Sequence, residues 1–534
     1  MANIRWAATV AALQAEAGMA NGEAAILAGY FSVGDGGGSS VWFSTTIVSH
    51  RKITGATNAT PIVITTQAPH GLSTGQRVMI AGVGGNTAAN RTSLITVTGL
   101  KTFSLDGSRG NGEYTSGGAV GDGGYTFPSA SATTGIWTRA NESELTIRWF
   151  GAKGDGGTDD THAIQAALDH VRTNGGTLRF PAGRYRITST LNGGSSQGVS
   201  YLGAGASRRS TLAGEDGSTP QHPTALLWRG SDGGTLFKHT GADCTFDGLS
   251  FWGGLDSDPG TDPPRAGIGL LLAPSGPIGT GKNHYGRVAL THCDVGFQAG
   301  TATSDSNCDN LNFAQVCFRH CDRGFVVKHD QGIKYNFQTA WFADIATACI
   351  DFERGGGLNV DSLFGVRTPV LLKIQGGGPA FAHYRMGGVQ LDGGQDARVV
   401  WLLHEPSTAN LDMANVVFDG GMGGTGPSQA QGGTEIAAFQ IAGRCVLRVR
   451  NIMNGMTNTW GDIGSVAPSP LLKITGTSGR TASAIFESCG LDDTNVAAGN
   501  WLQLAGSGTT RHRSVRDCHN ARIMTRIPDV EAIS

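Results

Sequence analysis

The chain has 534 residues, 83 of them glycine and 18 proline, and its 40 Lys and Arg against 42 Asp and Glu leave a net charge of −2. Glycine at roughly twice ordinary usage disfavours long helical bundles, since each interior glycine costs about 1 kcal/mol against alanine, and the lack of a three-residue period excludes collagen. With 39% apolar residues the chain is too apolar for disorder, its charge offers no footing for nucleic acid, and no apolar run is long enough for a membrane span.

Residues 1–50 begin with the apolar stretch Trp6 to Leu13, whose alanine-rich composition and single flanking Arg5 fit a short helix of the mature protein better than a signal peptide. Apolar segments around Ile26 and Val41 then flank a glycine run at 36–38, a hairpin pattern. Residues 51–119 read as a separate small β module of β-branched runs between His70-Gly, Gly84-Gly and Asp106-Gly turns. The sequence Val33-Gly-Asp-Gly-Gly recurs as Val120-Gly-Asp-Gly-Gly on either side of that module. The module is therefore expected to be an insertion into one head built from 1–50 and 120–147.

Residues 148–175 predict a glycine- and aspartate-rich entry loop and a helix over Thr161–Thr173, capped by Asp160 or Thr161, with Ile164, Ala167, Leu168 and Val171 on one face. From 176 to 508 short apolar alternations are punctuated by glycine or asparagine. Units beginning at Gly286, Asn310, Tyr335 and Leu358 start about 23–25 residues apart, the period of a β-solenoid of on the order of 13 coils. A β-propeller, whose units run to about 40 residues, fits less well. The more basic segment 509–534 is expected to cap the last coil. The nine cysteines are odd in number and lack a CxxC pair, so no disulfide framework is indicated. Cys317 and Cys321 flank His320 but share strand parity, which favours buried core thiols over a metal site.

The stretch Trp149 to Ala167, followed by Gly176 to Tyr185 and by Gly203-Ala-Gly-Ala-Ser, closely resembles the opening of pectate-lyase-superfamily right-handed parallel β-helices. Its Asp155, Asp159 and Asp160 are read as turn and cap residues. Thr9-Val-Ala-Ala-Leu, Gly29 to Gly38 and Ile136-Trp-Thr-Arg resemble the head of bacteriophage tailspike proteins, and His70 to Val78 with Asn111 to Gly118 resembles a small β domain of phage tail proteins. The fold expected is all-β: a right-handed single-stranded parallel β-helix with a small N-terminal head and an inserted β module. The resemblance implies a homotrimeric spike in the virion tail, made in the host cytoplasm and joined to the tail or baseplate by its head. Such a spike binds, and usually cleaves, a bacterial surface polysaccharide such as capsule or O-antigen.

Glycoside hydrolysis needs two carboxylates, about 5–5.5 Å apart for retention or about 6.5–9.5 Å for inversion. In Cys349-Ile-Asp-Phe-Glu, strand alternation puts Asp351 and Glu353 outward together. Asp361 follows on the next coil, and Asp392 and Asp396 flank a glycine-rich turn. Glu353 with Asp392 and Asp396 is the favoured catalytic set, with Glu353 and Asp361 as another pairing. A lyase would instead use a base and a cation from Lys328, His329, His383, Tyr384 and Arg385. Substrate contacts are expected from Trp252, Trp341, Tyr384 and Arg385, with the 253–266 loop as a groove wall. Asp256 and Asp258 match only the start of a calcium loop, and Asp262 does not complete it, so neither metal nor cofactor is expected. A polysaccharide hydrolase, a lyase and a non-catalytic receptor-binding spike all remain open at this point.

Overall fold

The computed structural model describes residues 4–131, 135–140, 144–206, 223–254, 265–274, 279–301, 307–330, 332–366, 368, 370–375, 381–392 and 398–419, and strand segments between 439 and 533. The chain divides into two compact units, the first Met1–Ile187 with Leu191–Ala204, the second Thr188–Thr190 with Gly205–Ser534.

In the first unit a five-stranded sheet runs in the order Arg5–Ala7, Ala24–Leu27, Ser39–Ser44, Ile136–Arg139, Thr126–Pro128. Helix α1 (Val10–Ala15) is capped by the Thr9 side chain, which accepts from the Ala12 N–H, and buries Val10 and Leu13. They pack with Leu27, Val41, Phe43, Phe127 and Trp137 on the sheet's inner face. Six strands between Ile53 and Gly121 form a second sheet around Ile64, Ile80, Ile95 and Phe103.

The repeated Val-Gly-Asp-Gly-Gly segments have one physical explanation. Asp35 accepts the N–H groups of Tyr30, Phe31, Ser32 and Gly37 at 2.7–3.1 Å. Asp122 accepts those of Gly124, Tyr125 and Thr126 at 2.7–3.0 Å. Each loop is thus folded around its own carboxylate, and one buried guanidinium joins the two. Arg139 donates to the carbonyls of Gly124 (2.6 Å), Gly37 (2.9 Å) and Trp149 (3.3 Å) and to Ser39 Oγ (2.6 Å).

Helix α2 (Thr161–Asn174) buries Ile164, Ala167, Leu168 and Val171, the face seen in the sequence. Asp160 holds the N-cap position without a side-chain cap bond. Its carboxylate instead accepts the N–H groups of Lys153 and Gly154, closing the entry loop, while Asp155 accepts from Gly157 and Thr158 and Asp159 from Thr161. Three parallel strands, Glu144–Thr146, Thr177–Phe180 and Ser200–Gly203, lie in register beside them.

The second unit is a parallel β-helix. One sheet stacks Leu249–Trp252, His284–Thr291, Leu311–Arg319, Ile333–Ala343, Gly356–Val366 and Phe381–Asp392. Another stacks Ala266–Leu272, Cys293–Ala299, Arg323–Val327, Ala348–Phe352 and Val370–Ile374. Identical positions on successive coils superpose, so inward rings form columns. Tyr285, Phe313 and Phe337 stack at 4.7 and 4.4 Å with interplanar angles of 12° and 5°. His292 and His320 take left-handed backbone (φ 56° and 50°) at the corner where consecutive long strands end, and Asp344 (φ 55°) follows on the next coil. The six described core cysteines, Cys317 and Cys321 among them, are unpaired by disulfides and buried.

Candidate functional site

Long strands of the second unit repeat an apolar–polar–apolar triplet. Leu311-Asn312-Phe313, Tyr335-Asn336-Phe337, Leu358-Asn359-Val360, Tyr384-Arg385-Met386 and Leu411-Asp412-Met413 occupy one register position on successive coils. The flanking residues are buried, so alternation turns the central ones out. Asn336 Nδ2 donates to Asn312 Oδ1 at 3.0 Å, and Arg385 Nη1 donates to Asn359 Oδ1 at 3.1 Å. Further along the same strands, Gln315, Thr339 and Ser362 form an exposed row, with exposed Asp361 beside Ser362. A third row, Cys317, Trp341, Phe364 and Gln390, brings a half-buried indole edge-on to a half-buried phenyl ring at 5.7 Å. Hydroxyls and amides beside an aromatic step make a surface suited to a long polar polymer.

Just past the left-handed corner, Asp294 and Asp322 occupy neighbouring coils beside the in-register pair Val295 and Arg323. Their side chains are 48% and 49% exposed, and Arg265 lies 3.3 Å from each. Arg265 is fixed by donating to the carbonyls of Cys293 (2.6 Å) and His320 (3.1 Å), while its own N–H is accepted by Asp232. Burial pushes the Asp294 carboxyl up; Arg265 opposes this, and the charges of Asp322 and Asp232 add to the rise. Beneath lies a column of rings: Trp252 stacks on His292 at 4.9 Å, and His292 meets His320 at 4.8 Å. Two carboxylates on adjacent coils, with burial pushing Asp294 up, are an arrangement suited to acid–base chemistry.

The residues singled out in the sequence distribute differently. Trp341, Asp361 and Arg385 all fall on the outward face of the long-strand sheet. Trp252 and Tyr384 are corrected: both are fully buried, Tyr384 because it has the inward parity of its strand and Trp252, which shares the outward parity of Trp341, because it packs with Ala225 and Leu227; neither is available to a substrate. Asp351 and Glu353 do share a face, but Asp351 is buried; Arg323 Nη1 reaches Asp351 at 3.2 Å and Glu353 at 2.5 Å, with Lys328 3.6 Å from Glu353. Burial works against the Arg323 charge, yet the bonds to Glu353 and Asp351 raise its pKa. Glu353 and Asp361 are not brought together. Asp361 stands five extended residues beyond Gly356, about 16 Å along a strand, and that strand pairs with 333–343 and 381–392 rather than with 348–352. Asp392 pairs in register with Val366 and Asp419, not with Glu353. Asp396 and the candidate calcium loop residues Asp256, Asp258 and Asp262 lie outside the described residues.

Sequence reading missed the ladder and the Arg265 cluster. The recurring Asn-Phe and Asn-Val dipeptides at coil spacing were the available signal for the first. Nothing local marks the second, because its members are separated by whole coils.

By fold the protein is a parallel β-helix protein. Residues 145–224 match the family model described as rhamnogalacturonase A/epimerase, pectate lyase-like. A 46-residue segment is 54% identical to alginate lyase 7 of Azotobacter vinelandii, covering 8% of this chain and 5% of that protein. The solved neighbours include phage tailspike proteins. Acinetobacter phage vb_AbaP_AS12 gp42 tailspike is 10% identical with a TM-score of 0.51, over 100% of this chain and 76% of that one. The enzymatically active domain of bacteriophage CBA120 tailspike protein 2 is 12% identical with a TM-score of 0.46, over 95% of this chain and 57% of that one. The chain thus spans just over half of the latter and a small fraction of the curated relative.

Proposed function

We propose that this chain is a phage tailspike that binds a bacterial surface polysaccharide along the outer face of its long-strand sheet and cleaves it by glycoside hydrolysis at Asp294 and Asp322. The observation that carries this reading is the outward ladder of Asn312, Asn336, Asn359, Arg385 and Asp412 beside the Trp341–Phe364 step. Its amide and hydroxyl groups suit sugar hydroxyls, and the two rings suit the apolar faces of pyranoses. Asp294, with its raised pKa, protonates the leaving oxygen as its bond to the anomeric carbon breaks; Asp322, its neighbour on the adjacent coil, forms the glycosyl-enzyme bond, which water then hydrolyses after giving its proton to Asp294. Asp361 and Arg385 contact substrate. Asp392 and Asp419, whose Cα atoms sit about 4.8 Å apart as in-register neighbours, are the other acid pair to test. Glu353 is assigned to holding the coil together through Arg323.

The deciding experiment is incubation of the purified chain with a panel of capsular and O-antigen polysaccharides, reading reducing ends and ultraviolet absorbance. Asp294→Asn and Asp322→Asn are expected to abolish release of reducing ends while leaving polymer binding intact. Full activity in both, with loss in Asp392→Asn or Asp419→Asn, would move the chemistry to the second pair. A lyase reading draws support from the matched alginate lyase segment; it would give products absorbing in the ultraviolet from their new double bond. Binding with no cleavage of any glycan would leave a receptor-binding spike. In this reading the spike is a homotrimer, joined to the virion tail by its head.

A further inference from the structure

The first unit contains a concavity of about 400 Å³ whose titratable lining, among the described residues, is Arg51, His50 and His170, with no carboxylate. The hydroxyls of Ser44 and Thr138 and the Asn174 amide share its wall with apolar Val48 and Ile136. That volume falls within the range of small-molecule sites, about 300–1,000 Å³. Two of the basic groups are braced from behind. His170, on α2, has a side chain only 7% exposed, and its Nδ1 lies 3.2 Å from Asp122 Oδ2. Its ring packs between those of Tyr125 at 4.8 Å and Phe150 at 5.9 Å. With Nδ1 turned to a carboxylate, Nε2 is the nitrogen left for a ligand, a donor when the imidazole is protonated and an acceptor when it is neutral. Arg51 is only partly committed: Nη1 donates to Thr126 Oγ1 at 2.7 Å and to the Val120 carbonyl at 3.4 Å, while Nη2 stands 3.9 Å from Asp122. A guanidinium has five N–H donors, so Arg51 keeps some for an incoming oxygen while its plane is held in place.

The charge balance indicates which ligand. A neighbouring cavity of about 350 Å³ shares His50, Arg51, His170 and Asn174 with the first and adds Arg77, His70, Asp122 and Asp169. Its two carboxylates are already engaged: Asp122 accepts the N–H groups of Gly124, Tyr125 and Thr126, and Asp169 pairs with Arg172 at 3.0 Å. His70 is bound within its own module, Nδ1 accepting from the Leu72 N–H and Nε2 lying 3.1 Å from the Gly99 carbonyl. Arg77, by contrast, donates to two uncharged oxygens, the Phe150 carbonyl and the Tyr30 hydroxyl, each at 3.2 Å. Two carboxylates therefore face three guanidiniums, those of Arg51, Arg77 and Arg172. His50 stands in that positive field: burial and the charge of Arg51 hold its pKa below the ordinary value. A ligand that brings one negative charge into this wall completes the balance, whereas a cation would meet like charge.

We propose that this basic concavity binds a small ligand bearing one oxyanion group, a phosphate or a sugar carboxylate, with Arg51 and His170 on the anion and the Ser44, Thr138 and Asn174 side chains on the ligand's hydroxyls. All of its residues belong to the first unit and none takes part in the proposed cleavage, so the inference stands apart from the polysaccharide reading. Calorimetric titration of the purified full-length chain with inorganic phosphate, with glucuronate and with glucose tests it. One saturable site per chain is expected for phosphate, for glucuronate or for both, the pattern identifying the anion, and none for uncharged glucose. With the anion bound, hydrogen exchange should slow at 120–126 and 166–174 and stay unchanged at 284–374. Arg51→Gln, which removes the charge, should weaken binding about tenfold or more. Because Arg51 also braces the Asp122 loop, Thr138→Glu is the second variant: it adds a carboxylate to the wall, leaves Arg51 and His170 in place, and should lose binding to the same degree. Far-UV circular dichroism checks that each variant folds. No saturable binding of either anion, equal binding of glucose, protection confined to other segments, or wild-type affinity in a folded variant overturns the proposal. None of these results would alter glycan cleavage by the wild-type chain, and absence of cleavage would leave anion binding as it stands.

Discussion

Replacing Arg139 with methionine tests whether one guanidinium ties the two aspartate-centred loops together. Arg139 is 1% exposed, and its donors engage the carbonyls of Gly37, Gly124 and Trp149 and the Ser39 hydroxyl. It also lies 4.4 Å from the Trp149 ring and 5.2 Å from that of Phe127. Burial pulls its pKa down, opposed mainly by the charge of Asp122, so the site carries a desolvation cost that methionine would relieve. Against that relief stand three buried carbonyls left without donors, at about 1–3 kcal/mol each, and a cation–π contribution of about 0.5–2 kcal/mol. The net expectation is about 3–4 kcal/mol, within the range for breaking a buried charged network. A chain of this size does not unfold as one cooperative unit, so a global melting temperature would mislead. Hydrogen exchange is the suitable assay. Amides of 28–44 and 120–139 should exchange about 10²–10³-fold faster in Arg139→Met, at about 1.4 kcal/mol per decade, while those of 284–374 stay unchanged. Arg139→Lys, which keeps the charge but not the fork, should fall between the two. Exchange in the two loops within threefold of wild type would refute the reasoning.

Other consequences are read as directly. In the second unit, burial holds His239 and His292 near pKa 3, with neighbouring cations adding to the effect at His292. Unfolded histidine takes up its proton near pH 6.5, so stability is complete above that pH and falls as pH drops toward 3; His239→Leu should flatten this limb by about one proton in urea titrations. In the first unit, Asp122 is driven down, burial being outweighed by His170 and Arg51. Its stabilisation should persist to about pH 4 and fade below, and Asp122→Asn should remove that acid dependence from exchange of residues 120–126. Phe313→Ala, which breaks the inward ring column, should cost about 3–5 kcal/mol in unfolding of the solenoid, whereas Trp341→Ala should weaken polysaccharide binding about tenfold at little cost in stability. If Asp294 is the proton donor, the alkaline limb of kcat/KM should lie above the usual carboxylate range, and its placement below that range would exclude Asp294 from the role.

What the sequence revealed was whatever repeats or sits locally. The 3.6-residue pattern after Asp160 marks α2, and the coil period marks the solenoid, because a chain that buries its inward row only against neighbouring coils must repeat it. Parity within a strand was also legible: Asp351 and Glu353 do lie on one face. Which coil position meets which was not. Loops between strands differ in length, so register cannot be counted from residue numbers, and Glu353 with Asp361 is a pairing by proximity in sequence that pairing of strands does not support. Parity was also insufficient for Tyr384, where large aromatic side chains fit either face of a strand, and for Trp252, which has the parity of the outward Trp341 yet is buried against Ala225 and Leu227. Arg265 lies 29 residues from Asp294 and 57 from Asp322 in the numbering, yet touches both; only the superposed coils create that site.

The ladder itself constrains how a polymer is held. Each asparagine amide has two N–H donors and an oxygen with two lone pairs. The bond from Asn336 to Asn312 consumes one donor of the first and one lone pair of the second, and Asn359 likewise gives one lone pair to Arg385. Each of the three asparagines therefore keeps hydrogen-bonding capacity for a sugar while its side chain is already oriented by a neighbouring coil. Preorganisation of this kind lowers the entropy lost on binding, by about 0.5–1.5 kcal/mol per immobilised side chain. Asn336→Ala should consequently lose more than the contact of one residue, because Asn312 is released as well. Asn336→Asp keeps an acceptor but cannot donate to Asn312 Oδ1, and should behave like the alanine variant rather than like wild type. If polymer affinity in Asn336→Ala and in Asn312→Ala fell by equal amounts that simply added in the double variant, the rungs would be acting independently and the ladder would be a set of separate contacts.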